Sequence, residues 1–221
     1  MKKIFLPIIF IFFCVSLLSA DGYSINSKAK KVVSEIKTFN WNPEQGWFEG
    51  PTTKIIVEKY DEKGRLVSEE LFYQQMILIE KTIFIYEGDV IKKTTTNHEN
   101  MLIRTSHVKR DGNMVTETVK RADGSQLFKI VSQIDSNGRI AELYRYNEES
   151  ELVFCNVYVY SDKGDVSSIS LFNPDGTFAV LVTINYTSFD DKGNWLVRSE
   201  YYTYADVWRR PRDYVYRTIE Y

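Results

Sequence analysis

The chain is poor in the residues that staple, break or catalyse. Of 221 residues only two are cysteine, two histidine and five proline. Cys14 lies in an apolar opening segment, so Cys155 alone remains beyond it and no intrachain disulfide can brace the fold. Cys155 alternates with Val153, Val157 and Val159, the setting of an inert thiol among apolar neighbours. His98 and His107 have no Cys-x-x-Cys or His-x-x-x-His spacing around them, which speaks against a zinc site. There is no Gly-x-Ser-x-Gly elbow, no glycine loop for a phosphate and no dinucleotide fingerprint. The pairs Glu69-Glu70, Glu148-Glu149 and Asp190-Asp191 are adjacent in sequence. Neighbours on a strand face opposite ways, so such pairs do not make an acid/base couple. These absences predict a non-catalytic protein with no metal and no cofactor.

Excess positive charge is missing too. Twenty-eight basic residues, Lys2 and Lys3 among them, stand against 30 acidic ones, and the net charge is −2. That excludes the basic footprint of a nucleic-acid binder. The only long apolar run is Ile4–Leu18, preceded by Lys2-Lys3 and followed by Ser19-Ala20. This pattern predicts a secretory signal over residues 1–20, cleaved after Ala20. The run is shorter than the ~20 residues of a spanning helix, and bulky Phe13 before Cys14 argues against lipid attachment. Retention of the leader as an anchor is the competing reading. The expectation is an exported bacterial protein, periplasmic or at the cell surface, with residues 21–221 as one domain and no membrane span.

What the chain does have is a phrase that recurs. Tyr60–Leu66 reads YDEKGRL, Tyr160–Val166 reads YSDKGDV and Phe189–Trp195 reads FDDKGNW. Glycines recur at 64, 88, 112, 138 and 164, and a second series, Gly124, Ser150 and Gly176, interleaves with them. A fixed period of this size marks a supersecondary repeat. Between the turns the pattern is strand: in Thr177–Tyr186, Phe178, Val180, Val182, Ile184 and Tyr186 alternate with Ala179, Leu181, Thr183 and Asn185. Leu78–Tyr86, Arg139–Tyr146, Leu152–Tyr160 and Asn194–Tyr204 behave alike, and Leu152–Tyr160 is apolar on both faces. Asp61-Glu62-Lys63-Gly64 and its copies fit a type I turn, with Asp or Ser first and Gly fourth. A calcium loop fits poorly, because a lysine stands where another oxygen ligand is needed. Large residues flanking the turns, such as Tyr60, Leu66, Ile140, Val166, Phe178 and Trp195, are expected to pin strand register. Lys31–Trp41 reads as the first strand, although Ser27–Lys37 could pass for a short helix, and Asn42–Pro51 reads as a loop.

The predicted fold is all-β: an antiparallel meander of repeated hairpins with about fourteen strands. The sheet is expected to be elongated or curled and partly two-layered, because flat open sheets beyond ~10 strands are rare. The phrases YDEKGRL, YSDKGDV, FNPDGTF and FDDKGNW resemble bacterial YD (RHS-type) repeats and MORN-like hairpin repeats of exported proteins. That resemblance implies shells, scaffolds and binding surfaces at the envelope and supplies no catalytic residue. The longer period, and a Tyr-Asp pair intact only at Tyr60-Asp61, depart from the YD pattern.

One region invites a sharper expectation. Aromatic residues crowd the C-terminal part, with Trp41 and Trp47 at the other end of the chain. Trp195, Tyr201, Tyr202, Tyr204 and Trp208, with Arg209 and Arg210 as donors, form a candidate platform for a sugar or peptide. Cross-strand pairing of the same rings is the structural alternative. The function expected is non-catalytic binding or scaffolding at the envelope, with a glycan or protein as partner. An outer-membrane β-barrel is the alternative. Charges on both faces at Glu69-Glu70 and Lys92-Lys93, and strands of about eight residues, weigh against it.

Overall fold

The computed structural model describes residues 29–204 and 207–221, without the side chains of residues 75, 207 and 208. The expected signal segment lies outside the described residues. Fourteen strands follow in order: β1 (Lys31–Asn42), β2 (Gly46–Tyr60), β3 (Leu66–Tyr73), β4 (Ile77–Glu87) and β5 (Val90–Asn97). Then come β6 (Leu102–Asp111), β7 (Met114–Arg121), β8 (Gln126–Ile134), β9 (Ile140–Tyr146) and β10 (Leu152–Tyr160). β11 (Val166–Phe172), β12 (Phe178–Phe189), β13 (Trp195–Tyr204) and β14 (Val207–Glu220) complete the chain. The only helical turn among the described residues is Gln74–Met76, between β3 and β4.

Every strand pairs antiparallel with its sequence neighbour, and β1 pairs with β14 through Lys31↔Glu220 to Thr38↔Asp213. The meander expected from the sequence is present. The open or curled sheet is not: the edges meet and the sheet is a closed barrel. Closure removes both exposed edges, which a long open sheet must otherwise protect. The same closure overturns the likeness to YD and MORN-like repeats. What those phrases share with this chain is hairpin turn chemistry, and their implied open shell does not form here.

The turns follow the expected chemistry. In the β2–β3 turn, Gly64 N–H donates to the Asp61 carbonyl at 2.9 Å and Gly64 sits at φ +76°. Asp61 Oδ1 accepts from the amides of Lys63 and Arg65, both at 2.9 Å, and Arg65 returns an ion pair at 2.7 Å. Asp135 repeats this with Asn137 and Arg139. The hydrogen bond from the Arg65 amide leads in holding the Asp61 carboxyl below its ordinary range. These carboxylates are consumed by their own turns, and among the described residues no group of three His, Cys, Asp or Glu could hold a metal.

The repeat is also visible as a side-chain cassette. Tyr86, Tyr160 and Tyr186 donate their hydroxyls to the carbonyls of Leu66, Ile140 and Val166 at 2.8, 2.7 and 2.9 Å. Leu66, Ile140, Val166 and Trp195 are buried as the turn spacing predicts, whereas Phe178 is exposed. β2 begins earlier than expected, because residues 46–49 pair with β1 through Trp41↔Trp47 instead of forming a loop. Gly50 permits this approach: a Cβ there would stand 2.8 Å from the Thr38 carbonyl oxygen.

Candidate functional site: barrel interior and apolar rim

The interior is filled, and its filling changes around the barrel. On the side of β8 to β13 an apolar cluster includes Ile130, Leu143, Tyr158, Val166, Val180, Val182 and Tyr202. On the side of β2 to β7 each strand sends a charge inward: Glu58, Glu69, Glu80, Lys93, Arg104 and Glu117. The registers place them together. Glu58 lies opposite Glu69, Glu69 opposite Thr82, and Lys93 opposite Ser106. Arg104 grips Glu80 with two nitrogens at 3.0 and 2.5 Å. Lys93 meets Glu117 at 3.2 Å with both side chains buried, and Ser106 donates to the same carboxylate at 2.5 Å. Such pairing is what makes buried charge tolerable. Glu69 lines a small opening beside them, together with Thr82, Lys93, Arg104 and Glu117. Burial, helped by the neighbouring Glu58, pushes the Glu69 carboxyl up to about 7.

A second ionic group lies on β13 and β14, where Glu200 is in register with Asp213. Arg198 pairs with Glu200 at 2.7 Å, and Arg212 with Asp213 at 3.1 Å. The guanidiniums of Arg198 and Arg217 stand 4.7 and 3.8 Å from the Trp195 ring, and Arg212 stands 4.5 Å from the Tyr202 ring. Burial first raises Asp213 to about 6, against the pull of Arg212.

This arrangement divides the platform expected from the sequence. Trp195 and Tyr202 are interior residues, 4% and 6% exposed. Tyr201 faces outward, with Arg209 at 4.1 Å from its ring and Phe39 at 6.4 Å. Phe39 also packs on Tyr214 at 4.4 Å, and Tyr214 continues to Tyr216. Tyr204, Arg209 and Arg210 are exposed beside the β13–β14 turn, while the Trp208 side chain lies outside the described residues. The outward aromatic group that forms is therefore Phe39, Tyr201, Tyr214 and Tyr216, drawn from both ends of the sequence by closure. Cys155 is half-buried, with its thiol raised by burial, and both histidines are exposed.

The two ends of the barrel differ in kind. At the end that holds Lys31 and Glu220, the turns carry charged and polar tips. At the opposite end most turns are polar as well, but exposed apolar side chains flank them, and at Met76-Ile77 they form the tip itself. Of the fifteen large hydrophobic side chains exposed among the described residues, twelve lie at or beside these opposite tips. The β1–β2 hairpin contributes Trp41, Trp47 and Phe48, and β3–β4 contributes Tyr73, Met76, Ile77 and Ile79. Met101 and Leu102 stand at β5–β6, Val153 at β9–β10, Phe178 at β11–β12 and Tyr204 at β13–β14. Only Ile83, Ile85 and Val159 of that set lie on the wall toward the other end. Sequence reasoning missed this rim because strand alternation reads Phe178 or Leu102 as core. The signal available was position: these residues flank the odd-numbered turns, β1–β2, β3–β4 and onward.

A family model described as an uncharacterised protein matches residues 17–177. The chain belongs to this family. No curated protein matches its sequence. Among solved structures it is similar to a porin-like protein from Bacteroides uniformis, with 12% identity over 87% of this chain and 96% of that one, at a TM-score of 0.47. A porin-like protein from Bacteroides vulgatus shows 13% identity over 86% and 97%, at 0.42. A DUF1329 family protein from Desulfovibrio piger shows 9% identity over 89% and 87%, at 0.31.

Proposed function

We propose that this protein is an exported, non-catalytic β-barrel of the bacterial envelope that binds through its apolar rim. One observation carries the reading: exposed apolar side chains gather at one end of a barrel whose other end is polar. Folding alone does not require this, because a closed barrel satisfies its backbone and fills its core without it. Contiguous exposed apolar surface of this kind marks an interaction site. The interior supports a binding role more than a catalytic one, since Arg104 and Lys93 are tied to Glu80 and Glu117. The rim includes Tyr204 of the expected platform, with Arg209 and Arg210 close by.

The test is envelope retention. Cells expressing the full chain are fractionated, and the wild type is compared with Trp47→Ser/Ile77→Thr/Leu102→Thr. Release of the variant into the soluble fraction, at unchanged thermal stability, supports binding through the rim. Equal retention of both contradicts it.

A second reading, a barrel spanning the outer membrane, is favoured by closure at fourteen strands and by the ionic interior. Its difficulty is the outer wall, where Glu35, Glu70, Lys81, Lys92, Lys129 and Glu142 alternate with inward residues. A charge facing lipid near mid-depth costs about 2–4 kcal/mol. Resistance to alkaline carbonate, with extraction only by detergent, would favour the spanning barrel.

A further inference from the structure

The rim is not uniform, and its unevenness points to its occupant. Four hairpin ends stand side by side in the barrel: β13–β14, β1–β2, β3–β4 and β5–β6. These four hold ten of the twelve exposed apolar residues at this end, and the remaining three ends hold Val153 and Phe178. The apolar surface is therefore a crescent.

Charge follows the same division. On the crescent, among the described residues, Glu44 and Glu99 are offset by Arg209 and Arg210, and Glu49 is bound to Lys37 at 2.6 Å. The β3–β4 end, Tyr73 to Ile77, carries no charge. The other arc is acidic, with Asp123, Glu148, Glu149, Glu151 and Asp175 against Lys120 and Arg121, the latter paired with Glu148.

The tip of β3–β4 is the most telling point. Met76 sits at φ 64° and is 58% exposed. Glycine or asparagine would hold this left-handed position with less strain. A long apolar side chain there serves no core and projects beyond the strands.

Resting on the rim as the binding face, we propose that the crescent seats in the interfacial layer of a lipid bilayer, with the acidic arc tilted away. Three properties fit a bilayer. The apolar residues flank four separate hairpin turns, and Met76 forms one of the tips, so a partner that yields around each hairpin end contacts them all. Tryptophan and tyrosine mixed with Met, Ile and Leu is the composition of interfacial anchoring. The balanced charge calls for no counter-charged surface, which points to zwitterionic headgroups. A second copy docked rim to rim would bring two acidic arcs close together.

The experiment is flotation of the mature chain, residues 21–221, with phosphatidylethanolamine/phosphatidylcholine vesicles, read beside tryptophan fluorescence. The rim variant is Met76→Asn/Ile77→Thr/Leu102→Thr, where asparagine suits the left-handed tip and protects folding. Ile83→Thr/Val159→Thr on the wall is the control. Wild type and control should float and shift their emission to the blue, and the rim variant should lose about tenfold or more of the bound fraction. A carbonate wash should release the wild type. Absence of flotation by wild-type protein overturns the proposal. If the rim variant nevertheless loses envelope retention, the rim binds a protein and the broader reading stands. Flotation that persists in the rim variant, or resists carbonate, also overturns it, the latter in favour of a spanning barrel.

Discussion

At the residue scale, the turns are the most constrained positions in the chain and were the most legible. Gly64 has open space around an added Cβ, so its requirement is conformational alone. Gly64→Ala should therefore lower stability by about 1 kcal/mol through strain at positive φ. The check is a fall in urea midpoint with an unchanged slope. Ser150 holds the same backbone region at φ 66°, so Ser150→Gly should raise the midpoint modestly. Both positions could be read from sequence because a type I turn is local: Asp or Asn first, with Gly or its stand-in Ser150 fourth at the same period, decides it with little help from the rest of the molecule. Gly46–Pro51 shows where local reading fails. Its glycines and proline spell a loop, but pairing with β1 across Trp41↔Trp47 makes it strand. The platform divides for a similar reason. Tyr202 follows the inward parity of Arg198 and Glu200, whereas Trp195 turns inward across a register shift, and aromatic density along the sequence does not reveal which face a ring takes.

At the element scale, the inward charges of β2 to β7 behave as one assembly. Lys93→Met alone leaves Glu117 buried without its cation and should cost about 3–5 kcal/mol, whereas Lys93→Met/Glu117→Leu should recover most of the loss. Chemical denaturation of the single and double variants measures that coupling. Glu69 adds a pH dependence whose sign follows from its raised pKa of about 7. Between roughly pH 4.5 and 7 the folded state holds a proton that the unfolded state has released, so stability falls as pH rises through this window. Below it the burial penalty is absent, and above it the penalty is complete. Glu69→Gln should flatten that part of the stability profile and make the protein more stable at pH 8, as thermal unfolding across buffers would show. The sequence contained the signal for this assembly, an ionisable residue at 58, 69, 80, 93, 104 and 117, one per strand. It was obscure because a charge in mid-strand ordinarily means a solvated face, and only the opposite wall reveals these as interior.

At the scale of the whole molecule, the strand count and meander order followed from the turn period, but closure did not. The β1–β14 pairing joins segments about as far apart as the described chain allows, and no turn or phrase near either one announces it. Closure brings Phe39 of β1 onto Tyr201 and Tyr214 and sets four hairpin tips side by side, so the apolar rim depends on it. The most direct test is therefore a covalent one. Val33 and Thr218 are register partners on β1 and β14, and such partners have Cα atoms about 4.5–5.5 Å apart, within reach of a disulfide. In a Cys155→Ser background, Val33→Cys/Thr218→Cys should oxidise to an intramolecular disulfide in nearly every molecule, detected by mass and by migration of the unreduced chain. Free thiols, or disulfides only between molecules, would mean that the two edges do not meet.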